Sequence, residues 1–118
     1  EEKRFIMRER FVFYMTARTQ KIGSVIQRAL APLLIEHEEE HGLITISEVR
    51  VMPDLSEARV YVFSPRSVKR LLEDLNARAG YFQKQISHSL TQKRTPRIRF
   101  FLDTGVLAAQ RIDDLLEQ

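Results

Sequence analysis

The sequence contains no cysteine. This absence excludes a disulfide framework, a zinc site built on thiolates and a cysteine nucleophile. It is compatible with a reducing compartment, and the cytoplasm is the expected location. A chain of 118 residues hides roughly two-thirds of its unfolded surface on folding, so it can build a core without cross-links. We therefore expect one domain.

Glycine and long apolar runs are also scarce. The four glycines, Gly23, Gly42, Gly80 and Gly105, stand far apart, so a glycine-rich phosphate loop of the usual kind is excluded. The apolar run Phe11–Met15 is too short for a signal peptide or a membrane span. We expect a monomer without a cofactor, a membrane partner or a small-molecule substrate.

Acidic residues are missing from two long stretches of a mildly basic chain. The net charge is +3, and no acid occurs in residues 10–35 or 75–102. Such segregation is typical of proteins that bind polyanions, although an ordinary solvated face remains the alternative. The candidate RNA-binding residues are eight of the bases in these stretches and one glycine: Arg18, Lys21, Arg28, Arg78, Gly80, Lys84, Lys93, Arg94 and Arg97.

The hydrophobic pattern predicts a helix followed by a hairpin. Apolar residues from Ile22 to Leu34 recur at three-and-four spacing, with Thr16 or Thr19 as the cap and Pro32 bending or shortening the last turns. The segments 43–52 and 57–63 are typical of strands. The turn 53–56 between them predicts antiparallel pairing.

A second helical region, a third strand and a last helix complete the predicted α+β fold. Ser64 or Ser67 begins a helix that bends at Gly80 and ends before Pro96. Residues 98–102 form a strand, and residues 106–116 form an amphipathic C-terminal helix. We expect helices on one face of a three-stranded sheet. We also expect strained backbone angles at Gly80, so that Gly80→Ala destabilises the fold.

One motif points to a different function. His37-Glu38-Glu39-Glu40-His41 matches HExxH, in which two histidines one turn apart bind zinc and the glutamate activates water. A solvated acidic helix end is the simpler interpretation, because Gly42 ends the helix and the sequence contains only one other histidine, His88. A zinc hydrolase is therefore a remote alternative.

Four passages resemble the ribosome-binding factor A family, whose fold is a type II KH domain. They are Arg18-Thr19-Gln20-Lys21-Ile22, the hairpin from Val49 to Val62, Leu75-Asn76-Ala77-Arg78-Ala79-Gly80-Tyr81, and the stretch from Lys93 to Phe101. The resemblance covers residues 15–118, and residues 1–14 are an extension outside it. The family's Ala-x-Gly at the kink reads Arg78-Ala79-Gly80 here.

The resemblance implies the order α-β-β-α-kink-α-β plus a C-terminal helix. It also implies a non-enzymatic factor that binds the immature small (30S) ribosomal subunit and its 16S rRNA, and that promotes rRNA maturation with a role in cold adaptation. The paired-glycine GxxG clamp of ordinary KH domains is missing. A stand-alone KH-like RNA chaperone or regulator is the alternative.

Overall fold

The computed structural model describes residues 3–8, 11–65, 68–91 and 94–103. Their elements follow the chain in the order β1 (Lys3–Arg8), β2 (Phe11–Thr16), α1 (Ala17–Leu34), a 3-10 turn (Ile35–His37), α2 (Glu38–His41), β3 (Thr45–Val51), β4 (Glu57–Phe63), α3 (Val68–Ala77), α4 (Ala79–Ser87) and β5 (Arg97–Leu102). Among these residues, no helix is both long and apolar enough to cross a bilayer. The predicted C-terminal helix lies outside the described residues.

The N-terminal extension contains a hairpin. Strands β1 and β2 pair antiparallel, with Lys3 opposite Thr16 and Arg8 opposite Phe11. This hairpin forms a sheet of its own, separate from the main sheet. The division of the chain into an extension (1–14) and one domain (15–118) stays a prediction.

Helix α1 begins at a reciprocal cap. The Thr19 amide donates to Thr16 Oγ1 at 3.1 Å, and the Thr16 amide donates to Thr19 Oγ1 at 3.0 Å, so two otherwise unpaired N–H groups at the helix start are satisfied. Of the two predicted caps, Thr16 is the residue used. The helix runs through Pro32 and ends two residues later at Leu34, where the chain tightens into the 3-10 turn. This agrees with the prediction that Pro32 shortens the last turns.

The three-stranded sheet has the order β3-β4-β5. Strands β3 and β4 pair antiparallel across the predicted turn, where Asp54 Oδ1 accepts from the Ser56 amide at 3.0 Å. Strand β5 pairs parallel with β4, which is possible because α3 and α4 provide the crossover. The predicted hairpin and third strand are confirmed.

Helices α1, α3 and α4 share one face of this sheet with the core. Alternation along β4 sends Ala58, Val60 and Val62 into that core, and Ile98 and Phe100 join them from β5. The helices contribute Ile22, Ile26, Leu30, Leu34, Leu71, Leu75, Phe82 and Ile86. Residues 57, 59, 61, 97, 99 and 101 therefore occupy the opposite face.

The break between α3 and α4 lies at Arg78, so the prediction of a kink with strained angles at Gly80 is wrong. Arg78 has φ −104° and ψ 13°, outside the helical region, while Gly80 is the second residue of α4 and does not have a positive φ. A β-carbon added at Gly80 would meet no heavy atom within 4 Å. Helix α4 also ends at Ser87, well before Pro96.

This geometry reverses the expected effect of Gly80→Ala. Alanine removes conformational freedom from the unfolded chain and meets no clash, so the variant should gain a few tenths to ~1 kcal/mol. Thermal melts should show an increase of roughly 2–5 °C. Gly42→Ala is the matched control. Gly42 has φ 77°, which favours glycine, and the same substitution there should lower the melting temperature.

Candidate nucleic-acid interface

A groove runs between the α3–α4 corner and the edge of β5 that faces away from β4. It has a volume of about 640 Å³. Its helical wall consists of Asn76, Ala79, Gly80 and Gln83, and its strand wall consists of Glu57, Arg97, Ile98 and Arg99. The open space above Gly80 faces solvent, so a ligand backbone can approach the helix there more closely than above a larger residue.

Asn76 ties the two walls together. Its Nδ2 donates to the Phe100 carbonyl at 3.1 Å, and its Oδ1 accepts from the Phe100 amide at 2.9 Å. The side chain thus takes the place of a neighbouring strand at one point of the β5 edge. Alternation along the strand directs the Ile98 amide and carbonyl toward the same edge, because the Arg97 and Asp103 amides donate to β4. The groove therefore offers backbone as well as side-chain hydrogen-bonding groups.

Asn76→Ala should destabilise the protein by about 1–2 kcal/mol, because two hydrogen bonds to the strand edge are lost. Urea unfolding measures this difference. Gln83→Ala removes the other amide that lines the groove and should stay within about 0.5 kcal/mol of the parent. Equal effects of the two substitutions would show that the Asn76 bridge contributes nothing specific.

The groove is basic on its strand side. Arg97 is exposed, and the Arg99 side chain is 54% exposed with its Nη1 3.4 Å from Glu57 Oε1. Arg94 is exposed in the loop before β5, and Lys93 lies outside the described residues. These guanidinium groups can hold phosphates, while the groove floor is open to a sugar-phosphate backbone.

Four of the other candidate residues lie on α1 and α4. Arg18 and Lys21, both exposed, line a second groove of about 490 Å³ between α1 and the segment after α4, together with Ser89, Leu90 and Thr91. Arg28 and Lys84 are exposed on α1 and α4. Of the nine candidates, the structure brings Gly80 and Arg97 into the first groove.

The Arg78 side chain packs at the α3–α4 corner and is not part of the groove lining. Its guanidinium carbon lies 4.6 Å from the centre of the Tyr81 ring and 5.9 Å from that of Phe82. Its Nη1 donates to Nε2 of His37 at 3.2 Å. Tyr81 remains 38% exposed, so its ring is accessible beside the corner, whereas Phe82 is buried.

Sequence reasoning missed Asn76, Gln83, Glu57 and Arg99 as groove residues. Asn76 and Phe100 are far apart in sequence, and neither carries a charge. Arg99 offered a signal, because Arg97 and Arg99 alternate with buried Ile98 and Phe100 and must share a face.

The two histidines of the HExxH pattern have different partners. His37 lies in the 3-10 turn and accepts from Arg78, while Nε2 of buried His41 is 2.7 Å from Asp74 Oδ2. No group of three or more potential metal ligands occurs among the described residues. The two histidines therefore connect the 3-10 turn to Arg78 at the α3–α4 corner and α2 to Asp74 on α3.

Burial lowers the pKa of His37, and the neighbouring Arg78 guanidinium and His41 lower it further. A proton on His37 would also displace the hydrogen bond that Arg78 donates. Because the folded pKa lies below the unfolded value of about 6.5, the unfolded state binds this proton first as the pH falls. The free energy of unfolding should thus decrease as the pH drops below about 6.5 and continue to fall toward the folded pKa.

Urea unfolding at a series of pH values from about 8 to 5 measures this loss around the histidine pKa. His37→Gln should flatten the dependence, because its amide can still accept from Arg78 without taking up a proton. The exposed His88 supplies the control, His88→Gln. A His37→Gln curve parallel to that of the parent would contradict the prediction.

The family of the chain follows from its sequence. The sequence model of a family described as RBFA, ribosome-binding factor A, matches residues 18–116. The chain belongs to the ribosome-binding factor A family. This membership confirms the resemblance seen in the four passages and agrees with the KH-like order of elements.

Two proteins named ribosome-binding factor A illustrate the relationship. The one from Psychrobacter sp. is 35% identical over 117 residues, covering 88% of this chain and 84% of its own length. The one from Magnetococcus marinus is 34% identical over 108 residues, covering 86% of this chain and 88% of its own.

Solved structures of family members have the same fold. The crystal structure of ribosome-binding factor A from Thermus thermophilus gives a TM-score of 0.65 at 25% identity, covering 71% of this chain and 94% of that one. A homology model of the Thermus thermophilus protein, fitted into a cryo-EM map of a 30S–RbfA complex, gives 0.61 at 25% identity, covering 70% and 92%. The α+β fold predicted from the sequence is confirmed.

Proposed function

We propose that this protein is a non-enzymatic assembly factor that binds the immature small ribosomal subunit through its 16S rRNA. In this proposal it acts in the cytoplasm and promotes maturation of the rRNA, with its greatest importance in the cold. The observation that carries the proposal is the basic groove beside Gly80, in a family whose Thermus thermophilus member has been fitted into a 30S complex.

The groove suits an RNA backbone better than a small molecule. Its strand wall presents the guanidinium groups of Arg97 and Arg99 next to the Ile98 backbone. Its helical wall includes Gly80, which has no side chain to block a ligand. Phosphates can bind the guanidinium groups while a sugar lies over the glycine. Because the chain lacks the GxxG clamp, shape and charge rather than base identity should govern this contact.

Two further sets of bases extend the proposed contact. Arg18, Lys21 and Arg28 lie on α1, and Arg18 and Lys21 are close to the end of α4. Lys84 is on α4 itself. An rRNA helix that spans both grooves would give the long electrostatic footprint expected of subunit binding.

Sucrose-gradient sedimentation tests the proposal. The tagged protein should sediment with free small subunits and their precursors, and should be absent from mature ribosomes and polysomes. In a deletion strain grown in the cold, precursor 16S rRNA should accumulate and small subunits should be depleted. Normal rRNA processing in that strain would contradict the proposed role.

The alternative, a stand-alone RNA chaperone or regulator, predicts a different gradient. The protein would then sediment near the top with small RNAs and would leave the subunit profile unchanged. Crosslinking to RNA in cells separates the two functions, because the subunit proposal requires 16S rRNA as the main crosslinked species.

A further inference from the structure

The sheet face opposite the helices carries a row of arginines. Arg50 on β3 pairs with Arg59 on β4, which pairs with Arg99 on β5. Like charges directly opposite one another destabilise a sheet. Arg50 is buried and bonded to Glu48, so Arg59 and Arg99 are the members of this row that an anionic ligand can reach.

An aromatic row lies beside the arginines. The rings of Tyr61 and Phe101 are stacked at 5.6 Å with an interplanar angle of 28°. The Arg59 and Arg99 guanidinium carbons lie 5.5 Å and 5.1 Å from the centre of the Phe101 ring. Contact with the ring holds both guanidinium planes in place, which leaves their outer N–H groups directed for binding.

Bases outnumber acids among the strand residues described on this face. Glu57 Oε1 is shared between Arg59 Nε at 3.3 Å and Arg99 Nη1 at 3.4 Å. Glu48 is bonded to Arg50 at 2.6 Å. Within β3, β4 and β5, four arginines including Arg97 share this face with two glutamates, and buried Asp103 follows the end of β5. The excess positive charge complements a polyanion.

The β5 side of this face is accessible and continuous with the groove. The side chains of Arg59 and Arg99 are 38% and 54% exposed, and Phe101 is partly exposed. Glu57, Arg97 and Arg99 belong both to this face and to the groove wall. A strand of RNA leaving the groove can therefore pass around the β5 edge over Arg97 and Arg99, where Glu57 is bonded to Arg59 and Arg99.

We propose that Arg59, Arg99 and Phe101 form a second RNA site, which binds single-stranded rRNA by stacking a base on the guanidinium planes that the Phe101 ring holds and by binding its phosphates with their outer N–H groups. The proposal rests on the proposed function only in taking RNA as the ligand. Stacking of this kind tolerates any base, and the arginine charge strengthens the contact. The groove holds the backbone, whereas this platform selects unpaired over paired RNA.

Fluorescence anisotropy with a labelled single-stranded RNA of about 12 nucleotides, and with a hairpin of the same length, tests the proposal. Phe101→Leu keeps an apolar side chain but removes the ring, and should weaken single-strand binding about 10-fold while leaving hairpin binding nearly unchanged. Phe101→Tyr keeps the ring and should bind like the parent. For single-strand binding, the slope of log affinity against log salt concentration should become shallower by about 0.7 in Arg99→Gln, because one phosphate contact is lost.

Lys69→Gln, on the exposed side of α3, is the matched charge control and should keep the parental slope. Binding by folded Phe101→Leu and Arg99→Gln that equals the parent's would overturn the proposal. A lower melting temperature of these variants with unchanged RNA binding would also overturn it. That result would assign the face to a contact with protein rather than with RNA.

The subunit gradient keeps this result separate from the proposed function. Gln83→Glu places an acid in the groove and leaves the platform intact. Suppose that Gln83→Glu loses subunit binding, while Phe101→Leu keeps both subunit binding and single-strand binding. The proposed function is then supported, and the proposed second RNA site is contradicted. If the parent does not sediment with subunits but its oligonucleotide binding depends on Phe101, the platform stands and the proposed function fails.

Discussion

Replacing Lys93, Arg94 and Arg97 together by glutamate should weaken binding to the small subunit about 100-fold at moderate salt, without lowering the melting temperature appreciably. Arg94 and Arg97 are exposed at the entrance to β5, where their charges contribute little to stability. The strand pairing uses the Arg97 backbone, whose amide donates to the Ser56 carbonyl at 3.0 Å, and this bond survives the substitution.

The loss should depend on salt in a defined way. Each phosphate contact that disappears reduces the log–log slope of affinity against salt by about one unit, so the triple variant should lose about three. Sedimentation with purified subunit precursors over a range of potassium concentrations measures both quantities. Lys69→Glu, compared with Arg97→Glu, controls for net charge. Parental binding by a folded triple variant would remove this basic turn from the interface.

Gly23→Val should destabilise the protein by about 3 kcal/mol, which is more than any other single substitution proposed above. Gly23 is buried where α1 crosses β3, and a β-carbon added there would lie 3.2 Å from the Val49 carbonyl oxygen and 3.7 Å from Val51 Cγ2. The two methyl groups of valine would force the helix away from the strand. The side chains beneath α1 would then lose their packing.

Thermal melts should show this as a decrease of roughly 10 °C. Gly80→Val is the matched control, because the same side chain there would enter open space in a helix. It should change the melting temperature by at most about 2 °C, since glycine and valine both have low helix propensity. Equal melting temperatures of the two variants would show that α1 can shift away from β3 at little cost.

Local sequence patterns were sufficient to predict most of the helices and strands. The alternation of Ala58, Val60 and Val62 with polar residues predicts β4, because a half-buried strand must present successive side chains to opposite faces. The three-and-four spacing from Ile22 to Leu34 predicts α1 for the equivalent reason. These signals are short-range, so they can be read without knowing what lies across the core.

The corner between α3 and α4 shows where local reasoning fails. Glycine is weak in helices, and local pattern therefore places the kink at Gly80. The chain instead breaks at Arg78, whose side chain packs over Tyr81 and bonds to His37. His37 is 41 residues earlier in the sequence, so no local pattern contains this contact. The tertiary contacts of Arg78 therefore decided the position of the break, despite the low helix propensity of Gly80.

The sequence by itself determined the family, the elements of the described domain and the basic character of its surface, because each depends on residue order alone. Only the tertiary structure decided which bases meet. Parallel pairing of β5 with β4 puts Arg59 beside Arg99, and the crossover through α3 brings Asn76 to the Phe100 edge. Sheet register determines the first of these juxtapositions, since a shift of one residue would turn the arginine side chains of one strand to the opposite face.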